Sequence, residues 1–286
     1  MEELSALLAM QLAFPWSPLR AKALIEQWGS AKALWQERIE PTSPLYPILQ
    51  TGAWKQEMDA AQQAGIRLIG CHDAIYPTSL HQLPDPPLVL YCKGHLLPHD
   101  QNALAIIGTR KPSSQGLMTA ETFGHTCARS FVTVISGLAK GIDTAAHQGA
   151  LQTGRTIAVL GSGLQHIYPK ENRALAEKIS QHGALLSEYP LHTPPKPFQF
   201  PRRNRLIAAL SLGALLVEGA LNSGSMQAMH WAWTLKKMCF TLHPSPREKM
   251  ITGNQFLLEN QKAKLVENAE EMLSLLVPQQ RSIKVS

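Results

Sequence analysis

The sequence is poor in cysteine. It has four cysteines in 286 residues, widely spaced and without any CxxC pair. They are Cys71, Cys92, Cys127 and Cys239. Disulfide frameworks and zinc sites both need cysteines that recur at short, regular spacing, so this pattern predicts neither of them. A reducing compartment fits such cysteine usage best.

A long hydrophobic run is also missing. The nearest candidate, residues 206–221, is interrupted by Ser211, Gly213 and Glu218, so it reads as a helix end, a turn and a buried strand rather than a membrane span. The first residues, Met-Glu-Glu-Leu-Ser, lack the basic stretch that opens a secretory signal. These absences predict a cytoplasmic protein with no membrane partner.

Several catalytic signatures are absent as well. The sequence has no P-loop, no GxSxG elbow, no HExxH and no Cys/His group at metal-ligand spacing. Gly161-Ser-Gly163 begins like a dinucleotide loop, but His166 stands at the third glycine position. Glu188 and Glu218, at predicted strand ends, could orient arginines or serve as paired carboxylates, although no nucleophile accompanies them. We therefore expect no cofactor, no bound metal and no enzymatic activity.

Hydrophobic spacing divides the chain into two parts. Residues 1–62 carry apolar residues at helical intervals broken by prolines, which predicts a small helical N-terminal domain. Residues 63–286 alternate short apolar runs with amphipathic stretches, which is typical of a doubly wound, mostly parallel α/β sheet. The predicted strands lie at 66–70, 88–91, 103–107, 131–135, 156–160, 184–186, 214–217 and 238–242.

Glycines and small polar residues follow several of these strands. The turns are Gly108-Thr-Arg110, Ser136-Gly-Leu-Ala-Lys-Gly-Ile-Asp143 and Ser223-Gly-Ser225, with Asp143 as the expected N-cap of a helix and a further helix starting near Met226. One such turn can be a structural bend, but the carboxyl ends of parallel strands meet at one edge of a sheet. Together the turns predict an anion-binding cradle there.

The run Phe198-Gln-Phe-Pro-Arg-Arg-Asn-Arg205 adds an aromatic pair and three arginines directly before an apolar helix. Guanidinium groups match phosphate oxygens, and an exposed aromatic ring can stack on a nucleobase. A solvated helix start with inward-facing rings is the alternative. The formal net charge of +6 favours an anionic partner.

Taken together, these motifs resemble the DNA-processing protein A family (DprA, also called Smf). The resemblance covers about residues 66–275 in order and spacing. It rests on Tyr76-Pro77, Asp85-Pro-Pro87, Ala105-Ile-Ile-Gly-Thr-Arg110, Val134-Ile-Ser-Gly-Leu-Ala-Lys-Gly-Ile-Asp143, Val159-Leu-Gly-Ser-Gly163, Tyr168-Pro169, Ser187-Glu188, Phe200-Pro-Arg-Arg-Asn-Arg205, Ser223-Gly-Ser225 and Gly253-Asn254.

The resemblance implies an extended Rossmann-like fold for residues 63–286, after a SAM-like N-terminal domain. It implies a homodimer that binds single-stranded DNA, protects incoming strands during natural transformation and loads the RecA recombinase. It implies strand-binding roles for Gly108, Thr109, Arg110, Gly137, Lys140, Phe200, Arg202, Arg203, Asn204, Arg205 and Ser225. Phe256, Leu257 and Leu258 are candidate dimer contacts, with ordinary core packing as the alternative.

The sequence departs from the family pattern in places. Pro197 stands where relatives often carry a lysine, with Lys196 one step earlier, and we expect no C-terminal winged-helix module after about residue 276. A nucleotide-binding hydrolase or sensor on a Rossmann-like scaffold is the competing hypothesis. That class usually shows a Pro-Gly-Gly-x-Gly-Thr-x-x-Glu loop, which this sequence lacks.

Overall fold

A computed structural model describes residues 2–276 except 16, 35–38 and 244–251. The described residues contain one nine-stranded sheet. Its strands are β1 (Ile66–Gly70), β2 (Val89–Gly94), β3 (Ala103–Ile107), β4 (Thr133–Ser136), β5 (Thr156–Val159), β6 (Ala184–Ser187), β7 (Gly213–Leu216), β8 (Met238–Thr241) and β9 (Lys264–Leu265). The strands predicted from the sequence are all present, two of them (β1 and β3) with the predicted bounds and the others with bounds shifted by up to three residues.

Helices precede and separate these strands. They are α1 (Glu3–Ala13), α2 (Pro18–Trp28), α3 (Ala31–Leu34), α4 (Leu45–Thr51), α5 (Ala53–Gln63), α6 (Ser114–Arg129), α7 (Ile142–Leu151), α8 (Arg173–His182), α9 (Gln199–Ala209), α10 (Gly224–Thr234), α11 (Thr252–Glu259) and α12 (Ala269–Leu276). Short 3-10 turns cover Thr78–Gln82, Pro98–Gln101 and Lys170–Asn172.

The strand order is β1-β2-β6-β5-β4-β3-β7-β8-β9. The strands β3 to β9 pair in parallel with their neighbours among them, whereas β2 pairs antiparallel with both β1 and β6. After β3 the chain builds one half of the sheet through β4, β5 and β6, and it then returns to place β7 on the other side of β3. The carboxyl ends of β3 and β7 therefore flank a topological switch point, where open α/β sheets bind ligands.

Helices cover both faces of the parallel strands, which explains why β3, β4 and β5 are buried at every position. On one face, Leu104 and Ile106 pack with Phe123 of α6 and Ala146 of α7. On the other face, the core is formed with α9 and α10. Its members include Ala105, Ile107, Ile207, Ala208, Ala228 and Met229. The structure confirms the predicted α/β class and adds an antiparallel margin to the sheet.

The N-terminal helices share a hydrophobic cluster with the antiparallel margin of the sheet. Leu7 and Leu8 of α1 belong to the same cluster as Val89 of β2. The side-chain amide of Gln11 donates to the backbone oxygens of Val89 and Glu188, both at 2.9 Å, and its oxygen accepts the N–H of Val89 at 2.8 Å. A domain boundary between residues 62 and 63 stays a prediction. The expected absence of a winged-helix module after about residue 276 concerns positions outside the described residues.

No helix in the described part of the chain is long and apolar enough to cross a membrane. Within the same residues, no group of three or more His, Cys, Asp or Glu side chains could hold a metal ion. The four cysteines are unbonded in the structure, and burial raises the pKa of each thiol, for example to about 12 for Cys127. Such thiols stay protonated at neutral pH and are poor nucleophiles.

Candidate nucleic-acid interface

A groove of about 580 Å³ opens at the switch point, beside the carboxyl end of β3. We call it the switch-point groove. It is lined by Ile107, Gly108, Thr109, Arg110, Lys111, Ala139, Asp143, Tyr168, Pro197, Phe200, Pro201, Arg203, Asn204, Ile207, Ser223, Gly224, Ser225 and Ala228. The turn after β3, the first turns of α9 and α10, and the loop after β5 thus meet in one place.

The turn after β3 delivers Arg110 to this groove. Gly108 follows the strand directly, and a Cβ atom there would lie 2.6 Å from Cγ1 of Ile142 and 2.8 Å from the backbone oxygen of Glu218, so the site accepts only glycine. The N–H of Thr109 donates to the same oxygen at 2.7 Å. These contacts tie the end of β3 to the end of β7, and the chain then emerges with Arg110 exposed.

The guanidinium of Arg110 lies over the ring of Phe200, with Cζ 5.6 Å from the ring centroid. Tyr168 packs beside Phe200 with ring centroids 5.3 Å apart and planes tilted by 39°. Within the described residues, the Arg110 side chain makes no hydrogen bond or ion pair. A cation held over a ring keeps its N–H donors available to an anion.

The two aromatic rings differ in accessibility. Phe200 is half-buried in the first turn of α9, and a Cβ atom at Gly161 would lie 2.9 Å from its Cδ1, so that glycine makes room for the ring. Tyr168 is 43% exposed. Of the two, Tyr168 offers the more accessible face for stacking, while Phe200 supports both Tyr168 and Arg110.

Arg203 is a buried cation at the floor of the groove. Its Nη1 donates to the backbone oxygens of Gly137, at 2.8 Å, and Val159. Its Nε donates to the side-chain oxygen of Asn204 at 3.2 Å. Burial lowers the pKa of the guanidinium from 12.5 to about 10, so Arg203 remains charged at neutral pH. It contributes positive potential and holds the ends of β4 and β5 together.

Asp143 does not cap α7, so that prediction is wrong. The helix begins at Ile142, and the Asp143 carboxylate instead accepts the N–H groups of Gly137 at 3.1 Å and Ala139 at 3.3 Å. Burial raises the pKa of Asp143, against the lowering influence of Arg203 and of these two amides. The carboxylate therefore shapes the loop between β4 and α7.

Arg205 was expected in the strand-binding pocket, but it is buried in an ion-pair network. Its Nε donates to Asp85 Oδ1 at 2.9 Å, and its Nη1 and Nη2 donate to the two carboxylate oxygens of Glu188 at 2.7 and 2.8 Å. The backbone oxygens of Arg202 and Asp85 accept the remaining two N–H groups. All five donors of this guanidinium are thus engaged. Glu188 orients an arginine, which is one of the roles that the sequence suggested for it.

The carboxylates also set the charge state of Arg205. Burial by itself lowers the pKa of a guanidinium, but Glu188 and Asp85 raise that of Arg205 above its ordinary value. Arg202 lies 3.8 Å from both of these carboxylates and is outside the switch-point groove. Position in the sequence run therefore does not predict which arginine reaches the groove.

Two residues of the β4 turn also lie outside the groove lining. Lys140 is exposed, and its Nζ lies 2.6 Å from Oε1 of Glu171, an interaction that lowers the pKa of that carboxyl. Gly137 is held through its N–H by Asp143 and through its carbonyl by Arg203. Both residues belong to the supporting loop rather than to the lining.

The N-terminus of α10 forms the opposite wall. The helix starts at Gly224, two residues before the predicted start, and the hydroxyl of Ser223 accepts the N–H of Met226 at 3.3 Å as its N-cap. Ser223 and Ser225 share a hydroxyl hydrogen bond of 2.8 Å, and the side-chain amide of Asn204 donates to the oxygen of Gly224 at 2.9 Å. First-turn N–H groups and the helix dipole favour an anion at such an end.

The structure thus brings most of the sequence-predicted residues together and separates the others. Gly108, Thr109, Arg110, Phe200, Arg203, Asn204 and Ser225 line the groove, whereas Gly137, Lys140, Arg202 and Arg205 do not. Lys111 and Tyr168 were not predicted as site residues, yet they line it, as does Ser223 of the predicted cradle. The sequence did hold a signal for the first two of them, because Lys111 is a basic residue next to Arg110 and Tyr168 is an aromatic residue in the loop after β5.

The candidate dimer contacts lie on α11. Leu257 is buried in the core of its own chain, so this residue follows the alternative of ordinary core packing. Phe256 and Leu258 are half-buried, and Nζ of Lys262 lies 5.0 Å from the Phe256 ring. Only these two side chains of the three present surface to a second copy.

The fold and the groove define a Rossmann-like α/β protein with a basic, aromatic-lined cleft at its switch point. The chain belongs to the DNA recombination-mediator protein A family, whose sequence profile matches residues 67–277. This match favours the DNA-processing hypothesis over the nucleotide hydrolase or sensor.

Similar sequences and solved structures support the same family assignment. The chain is 38% identical over 210 residues to Protein Smf of Synechocystis sp., covering 72% of this chain and 53% of the relative, so it spans about half the length of that protein. The X-ray structure of DNA processing protein A from Streptococcus pneumoniae matches with a TM-score of 0.75 at 30% identity, covering 96% of this chain and 98% of that one.

A second solved relative is DNA processing protein A from Helicobacter pylori, with a TM-score of 0.68 at 31% identity, covering 74% of this chain and 97% of that one. That structure gave insights into the unique single-stranded DNA binding mode of the Helicobacter protein. Both solved relatives share the Rossmann-like architecture described above.

Proposed function

We propose that this chain binds single-stranded DNA in the switch-point groove, protects the strand and loads RecA recombinase onto it during natural transformation. It acts in the cytoplasm and catalyses no reaction. The observation that carries the proposal is the exposed guanidinium of Arg110 over the ring of Phe200 at the sheet's switch point. Support also comes from the Helicobacter relative, whose structure was studied for its single-stranded DNA binding mode.

The charges in the groove suit phosphate groups. Arg110 and Lys111 are exposed cations on the turn after β3, and Arg203 adds a buried charge beneath them. The carboxylate among the lining residues belongs to Asp143, which is buried and already accepts two backbone N–H groups. An anion entering the groove therefore meets two exposed cations, a buried one beneath them and a helix N-terminus.

The rings in the groove favour unpaired bases. Tyr168 and Phe200 lie next to one another, with Arg110 over the latter. Stacking on a protein ring needs a base whose face is free, and a duplex hides these faces within its own stack. A single strand can turn its bases into the groove while its phosphates contact Arg110 and Lys111.

Binding of a labelled oligothymidine and of a matched duplex tests the proposal. We expect the single strand to bind at least about tenfold more tightly, and Arg110→Ala to weaken that binding about tenfold, since a hydrogen-bonded charged contact is worth roughly 1.5–3 kcal/mol. Arg67→Ala is the matched control, because Arg67 is an exposed arginine on β1, at the far end of the sheet. Equal affinities in the two variants would remove the groove assignment.

The partner proteins are part of the same proposal. A homodimer formed through Phe256 and Leu258 of α11 predicts that Phe256→Glu lowers the sedimentation coefficient, and a wild-type chain that is only monomeric at micromolar concentration would contradict the dimer. Loading of recombinase predicts that the chain accelerates RecA assembly on a single strand. An unchanged assembly rate would contradict that step while leaving strand binding in place.

A further inference from the structure

A second depression, of about 640 Å³, adjoins the switch-point groove. Pro201 and Ser223 line both depressions, so the two adjoin at the first turns of α9 and α10. We call the second one the α10 groove. Because Pro201 and Ser223 also flank the proposed DNA site, a strand that passes these two residues on leaving the first depression reaches the second.

One face of α10 forms its wall. Gln227, His230 and Trp231 are three and four residues apart, so their side chains lie on one side of the helix. Gln227 and His230 are exposed. Trp231 packs against the core on one side and lines the groove on the other. The wall thus presents an amide, an imidazole and an indole next to one another.

The groups around the α10 groove match the chemistry of nucleotides. Asn222 and Gln227 can donate to and accept from base edges, while the rings of His230 and Trp231 can stack on base faces. Arg202 contributes a cation that lies 3.8 Å from Asp85 and Glu188. None of the described residues that line this groove is acidic, so a polyanion meets no carboxylate at its walls.

We infer that the α10 groove is a second nucleotide subsite, which binds bases of the same single strand as it continues out of the switch-point groove. The inference rests on the proposed function and extends it from one pocket to a path along α10. Beside this path, Nζ of Lys262 lies 4.0 Å from the centroid of the Trp233 ring and covers one face of it. The path itself begins only where the strand leaves the switch-point groove. The subsite therefore increases affinity for longer strands only.

The test compares two oligothymidines, one of about 4 and one of about 12 nucleotides, within the usual range of site sizes for such proteins. The variant is Gln227→Ala/His230→Ala, which changes two exposed helix positions. Its matched control is Gln148→Ala/His182→Ala, an exposed glutamine and histidine beside a separate depression at α7 and α8. Alanine is a good helix former, so all four positions tolerate the change.

We expect the α10 variant to bind the longer strand about five- to tenfold more weakly and the shorter strand as the wild type does, because base stacking contributes mainly to the longer one. The control should match the wild type on both. An α10 variant with unchanged affinity for the longer strand, or with equal losses on both strands, overturns the subsite. A wild-type chain that binds neither strand overturns the proposed function and this inference with it.

Photocrosslinking supplies an independent readout. A 12-nucleotide strand with iodouracil at a single position, moved along the strand, should crosslink within residues 222–231 from one end only. Crosslinks confined to the turn after β3 and to the loop containing Tyr168 would show that the strand does not follow α10 and would overturn the inference.

Discussion

Arg205 and Glu188 form a bidentate ion pair, in which Nη1 and Nη2 of the arginine donate to the two carboxylate oxygens at 2.7 and 2.8 Å. The pair joins α9 to the end of β6. Gln11 of α1 donates to the backbone oxygen of the same Glu188. The helix that carries Phe200 is therefore positioned by contacts reaching to the N-terminal helices, far along the chain from the groove.

Removing this arginine should destabilise the protein strongly. Arg205→Met leaves the buried Glu188 carboxylate without its main partner, and breaking a buried pair in this way costs about 3–5 kcal/mol. Urea unfolding followed by circular dichroism measures the loss. Arg67→Met, at an exposed position, should change the free energy of unfolding by less than about 0.5 kcal/mol. A small effect at Arg205 would show that the pair does not hold α9.

The affinity for a single strand should fall steeply as the salt concentration rises. Phosphate contacts release counterions, so the logarithm of the association constant for a single strand falls with the logarithm of salt concentration by about 0.7 for each contact. Arg110→Ala should reduce this slope by about that amount. Titrations of oligothymidine at several salt concentrations measure it. An unchanged slope would mean that Arg110 does not contact phosphate, whatever the effect on affinity.

Tyr168 should contribute to binding without contributing much to stability. Its ring is 43% exposed beside Phe200, and stacking of one base is worth about 1–3 kcal/mol. Tyr168→Ser is therefore expected to weaken oligothymidine binding by about five- to a hundredfold while the melting temperature stays close to that of the wild type. Equal binding by the variant would leave Phe200 as the stacking platform.

The fourth prediction is a pH dependence of stability that arises from His147. This side chain is fully buried, and the hydroxyl of Thr156 donates to the backbone oxygen of Val134, so Nδ1 of His147 must donate to that hydroxyl, at 2.6 Å. Within the described residues Nε2 has no hydrogen-bond partner. Burial and, to a lesser degree, the charge of Arg203 lower the pKa of His147 from 6.5 to about 3.

Between these two pKa values the unfolded chain binds a proton that the folded chain does not. The free energy of unfolding should therefore fall as pH drops below 6.5, by at most about 1.4 kcal/mol per pH unit from this residue. Urea titrations from pH 6.5 to pH 4 measure the slope. His147→Gln should be less stable at neutral pH but should show a shallower dependence, and parallel curves for the two proteins would contradict the assignment.

Local sequence patterns predicted the positions of the strands in the sheet but not all of their directions. The buried apolar runs at 103–107 and 156–160 predicted β3 and β5, because a strand covered on both faces must be apolar throughout. The strand direction of β1 and β2 was not predictable from such runs. Parallel and antiparallel pairing bury the same side chains, and only the structure shows that Tyr91 to Gly94 run antiparallel to Ala184 to Ser187 of β6.

The sequence does not predict which arginine of the run 202–205 reaches the groove. Arg202, Arg203 and Arg205 are equivalent by residue type, but successive helix positions turn by about 100°, so they face different neighbours. Their partners come from distant segments, such as Asp85, which is 120 residues from Arg205. A sequence pattern predicts a basic helix start, and only the neighbours decide which charge is neutralised.

The α/β class, the glycine turns at the strand ends and the family could be read from the sequence alone, because they depend on local periodicity and on short motifs. That Arg110 faces the groove, that Arg205 is buried with Glu188 and that Tyr168 packs beside Phe200 became visible only in the folded chain. The physical reason is that charge and stacking act between side chains brought together by the strand order, across separations that no local pattern encodes.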